Sequence, residues 1–211
     1  LNVHHFGRDG IVINDRVGLG GNGLRRIGIP MNLTITNSKF NWNGRNGMSW
    51  VGGNGVNVLR SEFNYNGQAR ISTNPRDGLD IEWENCNSRV EHGFFKDCNF
   101  MFNVRCGIES SAQNNRLEAW SNDFMFEGCK FVGSETAICA RPNARGMVFK
   151  KSQFFGIVNG FYDAWRCSIC VINPFRNKFI NSSFSEEYNN QYSINSNTFD
   201  ECLSGCGFGH D

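Results

Sequence analysis

The sequence predicts an all-β fold, a parallel β-solenoid with three short strands per coil and an irregular C-terminal coil or cap. Three observations predict it. Arg-x-Gly followed by an apolar/any/apolar alternation recurs at Arg8–Ile13, Arg45–Trp50, Arg76–Ile81 and Arg105–Ser110, and strand-like units recurring at roughly 30 residues mark a stacked-repeat architecture. A second phrase, small-x-Phe, recurs at Ser38-Lys39-Phe40, Ser61-Glu62-Phe63, Cys98-Asn99-Phe100, Cys129-Lys130-Phe131, Ser152-Gln153-Phe154 and Asn197-Thr198-Phe199. No stretch of useful length carries the 3.6-residue periodicity of a helix.

Read in order, each unit is strand, short turn, strand, Asn turn, strand and loop. Alternating stretches such as Leu33-Thr34-Ile35 and Val56-Asn57-Val58 have the two-residue period of a strand. Phe40-Asn41-Trp42-Asn43-Gly44 and Phe63-Asn64-Tyr65-Asn66-Gly67 nearly duplicate one another, and Phe100-Met101-Phe102-Asn103 follows, so the third residue after Phe is a turn column of Asn. By strand parity, Trp42, Tyr65 and Phe102, two residues after an inward Phe, are expected inside the core. Residues 16–30 interrupt the repeat as a long Gly-rich loop. The regular coils are expected over about 8–160 and an irregular cap over 161–211, all within one domain (1–211). The chain opens mid-pattern at Leu1, so it is expected to be part of a longer chain, and no signal peptide is recognisable.

Composition narrows the function. With 21 basic and 20 acidic residues the net charge is +1, so no overall field points to nucleic acid. Apolar runs such as Cys167–Ile172 are too short for membrane insertion. The nine cysteines are an odd number, and Cys98 and Cys129 fill a slot held elsewhere by Ser, which reads as buried, reduced thiols. Cys167, Cys170, Cys202 and Cys206 lack the regular spacing of a zinc site, and His4-His5 point oppositely along a strand, so neither a metal nor another cofactor is expected.

The phrases Asn32–Phe40, Gly47-Met48-Ser49-Trp50 and Gly78-Leu79-Asp80-Ile81-Glu82 resemble the right-handed parallel β-helix, or pectin-lyase-like, superfamily. The resemblance covers about residues 8–160 and implies a right-handed single-stranded β-helix. It also implies polysaccharide chemistry: lyases, hydrolases, epimerases and phage tailspike depolymerases, alongside non-catalytic members. The tailspike version implies a homotrimer and an extracellular or virion-associated location. Asn74-Pro75-Arg76-Asp77-Gly78 resembles the first motif of polygalacturonases, which puts Asp77 at the acid position. That family's Asp pair and Gly-His-Gly have no counterpart here, and the calcium-binding Asp cluster of pectate lyases is not recognisable.

The candidate site follows from unequal repeats. Phe63 to Gly78 spans fifteen residues against seven for Phe40–Gly47 and Phe100–Gly107, so about eight residues within 68–77 are inserted beside the strand Gly78–Glu84. With Leu79, Ile81 and Trp83 inward, Asp80, Glu82 and Glu84 share the outer face, and Arg76 and Gly78 face outward with them. Glu109 takes the column of Asp80 in the next coil and Ser49 in the previous one. Residues two apart on a strand lie roughly 6.5–7 Å apart and neighbouring coils roughly 4.8 Å apart. Asp80 with Glu82 then suits an inverting glycosidase, and Asp80 with Glu109 a retaining one. The candidate catalytic residues are Asp80, Glu82, Glu109 and Asp77. Arg45, Arg76, Arg105 and Arg141 are candidates for binding an anionic glycan, because guanidinium groups hold uronate carboxylates bidentately. A lyase would draw its base from Arg105 or Arg141, and the excess of carboxylates favours hydrolysis. The rival expectation is a non-catalytic carbohydrate-binding or structural module, whose outer face is solvated and ion-paired.

Overall fold

A computed structural model describes residues 1–14, 30–83, 90–112, 121–140 and 147–155, together with short strands at Ile169–Val171, Lys178–Ile180, Ser183–Phe184, Thr198–Asp200 and Leu203–Ser204. These residues form parallel β-sheets and no helix, an arrangement compatible with a β-solenoid. Each strand pairs in parallel with its counterpart one repeat later. One ladder joins Ile11–Ile13, Met48–Trp50, Leu79–Trp83, Cys106–Ala112, Thr136–Ala140 and Ile169–Val171. A second starts at Pro30–Thr36 and runs through Gly53–Leu59, Val90–Lys96 and Ser121–Glu127 to Thr198–Asp200. The third contains the Phe strands. It is divided where Glu62 contributes only single bridges, to Lys39 and to Asn99.

Stacking explains the residue types. Phe40, Phe63, Phe100, Phe131 and Phe154 form a buried column with ring centroids 5.0–5.2 Å apart. Phe95, Phe126 and Phe149 form a second column at 4.9 and 5.0 Å, meeting the first edge to face. The spacing is that of parallel strands, so the backbone ladder itself sets the offset-stacking distance. Phe199 departs from expectation: it pairs with Phe179, and so follows Phe149, whereas Phe154 is followed by Phe184. Its Asn197-Thr198-Phe199 phrase imitates a small-x-Phe strand but belongs to the other ladder.

The Ser/Cys slot has one hydrogen-bonding task. The side chains of Ser38, Ser61, Cys98, Cys129 and Ser152 each donate to the carbonyl two residues earlier. Before each lies a residue of positive φ: Asn37, Arg60, Asp97, Gly128 and Lys151. The hydroxyl or thiol therefore secures a tight left-handed corner, and Cys98 and Cys129 are free and buried, as expected of small core residues.

The Asn column is a buried ladder. Asn43 and Asn66 each take, on the backbone N–H and the side-chain amide, the side-chain oxygen of the next Asn, Asn66 and Asn103 in turn, at 3.0–3.1 Å. Asn66 and Asn103 also donate to the carbonyls of Phe40 and Phe63. Trp42, Tyr65 and Phe102, by contrast, are not core residues: Trp42 and Phe102 are exposed and Tyr65 is half-buried. Each has φ near +55°, which reverses the strand alternation and turns the ring outward. There they stack on one another at 4.4 and 5.3 Å, with His5 over Trp42.

Candidate functional site

The site is built on the outer side of the first ladder. Leu79 and Ile81 are fully buried inward, and register places Val12, Ser49, Asp80, Glu109 and Cys139 in one outward column. The sequence-predicted column is therefore assembled, but its environment differs from expectation. Ser49, Asp80, Glu109 and Cys139 are buried, although Val12 at the head of the column is exposed. The outer face is not a solvated strip.

Part of the reason is a second column at the corner, made by the middle residue of each Arg-x-Gly phrase. Asp9, Asn46 and Asp77 each accept, through a side-chain oxygen, the backbone N–H of the next member, Asn46, Asp77 and Cys106, at 3.2, 2.8 and 2.8 Å. An acceptor is needed at each step, which accounts for Asp, Asn and Asp. These side chains fold over the outward column: the Asn46 amide donates to Ser49 Oγ at 3.0 Å and to Asp80 Oδ2 at 3.1 Å. The glycines follow from the same crowding. A Cβ on Gly78 would lie 2.6 Å from the Gly107 carbonyl and 2.7 Å from the Asn103 amide, so Gly78 is turned into the stack and not outward as parity predicts.

The arginines divide. Arg8 is exposed. Arg45 reaches Asp9 at 3.2 Å, Asp80 at 3.9 Å and Glu82 at 4.0 Å, and its Nε donates to the Asn74 carbonyl at 3.1 Å. The insertion at 68–77 thus holds this guanidinium against the acids, and Thr73 anchors it further by donating to the Gly44 carbonyl. Arg105 grips Glu109 bidentately at 2.6 and 3.3 Å. Arg76 does not join the face: its φ is +72° and its stem packs over Gly67. Among the described residues no carboxylate lies within ion-pairing distance of it, and its Nε is buried without a partner. Arg141 and Glu84 lie outside the described residues, as do Trp120 and Trp165.

Asp77, Asp80 and Glu109 crowd together with Cys106. Burial, then repulsion from Glu109 and Asp80, raises the Asp77 pKa well above the ordinary carboxylate range. Burial, then Glu82 and Glu109, does the same to Asp80 against the pull of Arg45. Burial also pushes the Cys106 thiol up, with Cys139 beside it. The members that reach solvent are Glu82, Arg45 and Arg105, with side chains 16%, 18% and 24% exposed. Sequence reasoning placed the carboxylates in register but missed Asn46, Cys106 and Cys139. The readable signal for Asn46 and Cys106 was the middle position of Arg-x-Gly, where three consecutive acceptors give way to a cysteine.

Comparison of the chain with protein-family models, curated proteins and solved structures finds no match.

Proposed function

We propose that the chain is a right-handed parallel β-helix that processes an anionic polysaccharide, extracellularly or on a virion, by hydrolysis at the Asp80/Glu82 face. The observation that carries this reading is the junction of Asp80, Glu82 and Arg45. Two carboxylates on one strand face share one guanidinium where the buried acidic column meets solvent. Residues two apart on a strand are separated by roughly 6.5–7 Å, within the carboxyl spacing that admits a water for inverting hydrolysis. Asp80, buried among acids, is the proton donor to the glycosidic oxygen, and the more exposed Glu82 is the base that activates water. Arg45 and Arg105 offer positive charge to the carboxylates of an acidic sugar. Burial, with Glu82 and then Glu109 beside it, favours the protonated form of Asp80.

A second reading is a non-catalytic glycan-binding or structural module. It is favoured by the near-complete burial of Asp77, Asp80 and Glu109 and by the bidentate Arg105–Glu109 pair. A panel of acidic and neutral polysaccharides, assayed for new reducing ends and for absorbance of unsaturated uronates, separates the two. Hydrolysis gives reducing ends without the absorbance, and Asp80→Asn or Glu82→Gln should lower kcat/KM by about 10²–10⁴-fold. Absorbance from unsaturated products would replace hydrolysis with elimination. No cleavage anywhere on the panel, with glycan binding unchanged in both variants, would sink the site altogether.

A further inference from the structure

The lower end of the acidic column has a composition that the Arg105–Glu109 ion pair does not account for. Ligand atoms of Asp77, Cys106 and Glu109 all lie within 4.8 Å of one another, and all three residues are buried. Register sets Cys139 beside Glu109, and the Cys139 side chain is hydrogen-bonded to that of Cys106. These two cysteines form a small buried cluster separate from the main core.

Asp77 supplies the independent observation. The residue has no exposed surface. Its Oδ1 accepts the Cys106 N–H at 2.8 Å, whereas Oδ2 is buried and no backbone N–H, hydroxyl or amide donates to it. The Asp77 carboxyl lies against the Glu109 carboxyl, close enough for the two to share a proton. Two acceptors facing each other in a buried site are tolerated only with a proton or a cation between them. The preceding repeat shows what a self-sufficient solution looks like: Asn46, in the same column, donates its amide to both outward neighbours. Asp77 keeps the acceptor that the column requires and lacks that donor.

We infer that Asp77, Cys106 and Glu109 form a buried binding site for a thiophilic divalent cation of the zinc class. One sulfur and two carboxylate oxygens supply three of the four positions of a tetrahedral zinc site. Thiolates disfavour calcium and magnesium, which take oxygen ligands. The second coordination layer is present, since Arg105 holds both oxygens of Glu109 and the Cys106 N–H holds Asp77. Sequence spacing could not reveal such a site, because its donors come from two successive repeats.

The test uses the whole chain, reduced and stripped with a chelator, with Zn²⁺ alone as the probe. One equivalent should bind, and it should protect Cys106, but not the other cysteines as a group, from maleimide labelling mapped by peptide mass. Co²⁺ in its place should give a thiolate-to-metal charge-transfer band. Asp77→Asn, which restores the amide found at Asn46, should fold and bind at least tenfold more weakly, and Cys106→Ser should lose the band. No zinc-dependent protection and no cobalt band in the wild-type chain would overturn the site, as would equal zinc affinity in Asp77→Asn. The inference stands apart from glycan processing. Asp80→Asn and Glu82→Gln should bind zinc like the wild type, so zinc binding without cleavage removes only the proposed activity, and cleavage without zinc binding removes only the metal.

Discussion

Two buried polar columns run along this molecule, and they solve the same problem in opposite ways. In the Asn43–Asn66–Asn103 ladder every side chain carries both donors and an acceptor, so each repeat satisfies the next and spare amide hydrogens cap the Phe carbonyls. In the Asp77–Asp80–Glu109 cluster the ionised side chains only accept. Arginines neutralise part of it, Asp77 Oδ2 stays without a donor, and two carboxyl pKa values are driven up. Buried polar groups are costly unless paired. The amide ladder holds repeats together, whereas the carboxylate cluster spends stability.

The comparison breaks most sharply at Asn66. Asn66→Ala removes the acceptor for Asn43 and the donor for the Phe40 carbonyl. At about 1–3 kcal/mol for each orphaned buried group, the loss should reach about 3 kcal/mol or more. Urea denaturation followed by circular dichroism measures it, and a loss below about 1 kcal/mol would show that the ladder is ornamental.

The carboxylate column should respond in the opposite direction. Asp80 has a raised pKa in the folded chain, so its stabilising contribution is complete below the unfolded pKa of about 3.9 and is lost as pH rises toward the folded value. In the chelator-treated chain, Asp80→Asn should therefore be more stable relative to wild type at pH 7 than at pH 3.5, while its Oδ1 can still accept from Asn46. Parallel denaturation midpoints at the two pH values would refute the charge-frustration account.

The smallest effect belongs to the exposed aromatic ladder. Tyr65→Ala deletes two face-to-face stacks, with Trp42 and Phe102, worth about 0.5–1.5 kcal/mol each. Because stacked rings present edges to solvent and hide their faces, the glycan binding proposed above should not depend on them. Weakened glycan binding in that variant would move the ligand surface to this side of the molecule.

Much of this was legible in the sequence, and the failures have specific causes. Spacing identified the Phe columns, the Ser/Cys slot, the Asn turn and the register of Ser49, Asp80 and Glu109, because stacking forces equivalent positions to share a chemical task. Parity failed at Trp42, Tyr65 and Phe102 because a left-handed residue reverses the alternation, and bulky aromatic residues give no warning of positive φ. It failed at Gly78 because the corner, and not the strand, decides where that position points. Arg76 looked equivalent to Arg45 and Arg105, yet its own backbone turns it over Gly67.

The sequence by itself determined the repeat, the β class and which residues fall into columns, since periodicity is a property of the chain alone. Only the tertiary structure decided that the acidic face is buried, that Asn46 and Asp77 fold over it, and that Cys106 and Cys139 join it. Burial depends on which side chains from neighbouring repeats close over a position, and that depends on corner geometry which no count of residues along the chain contains.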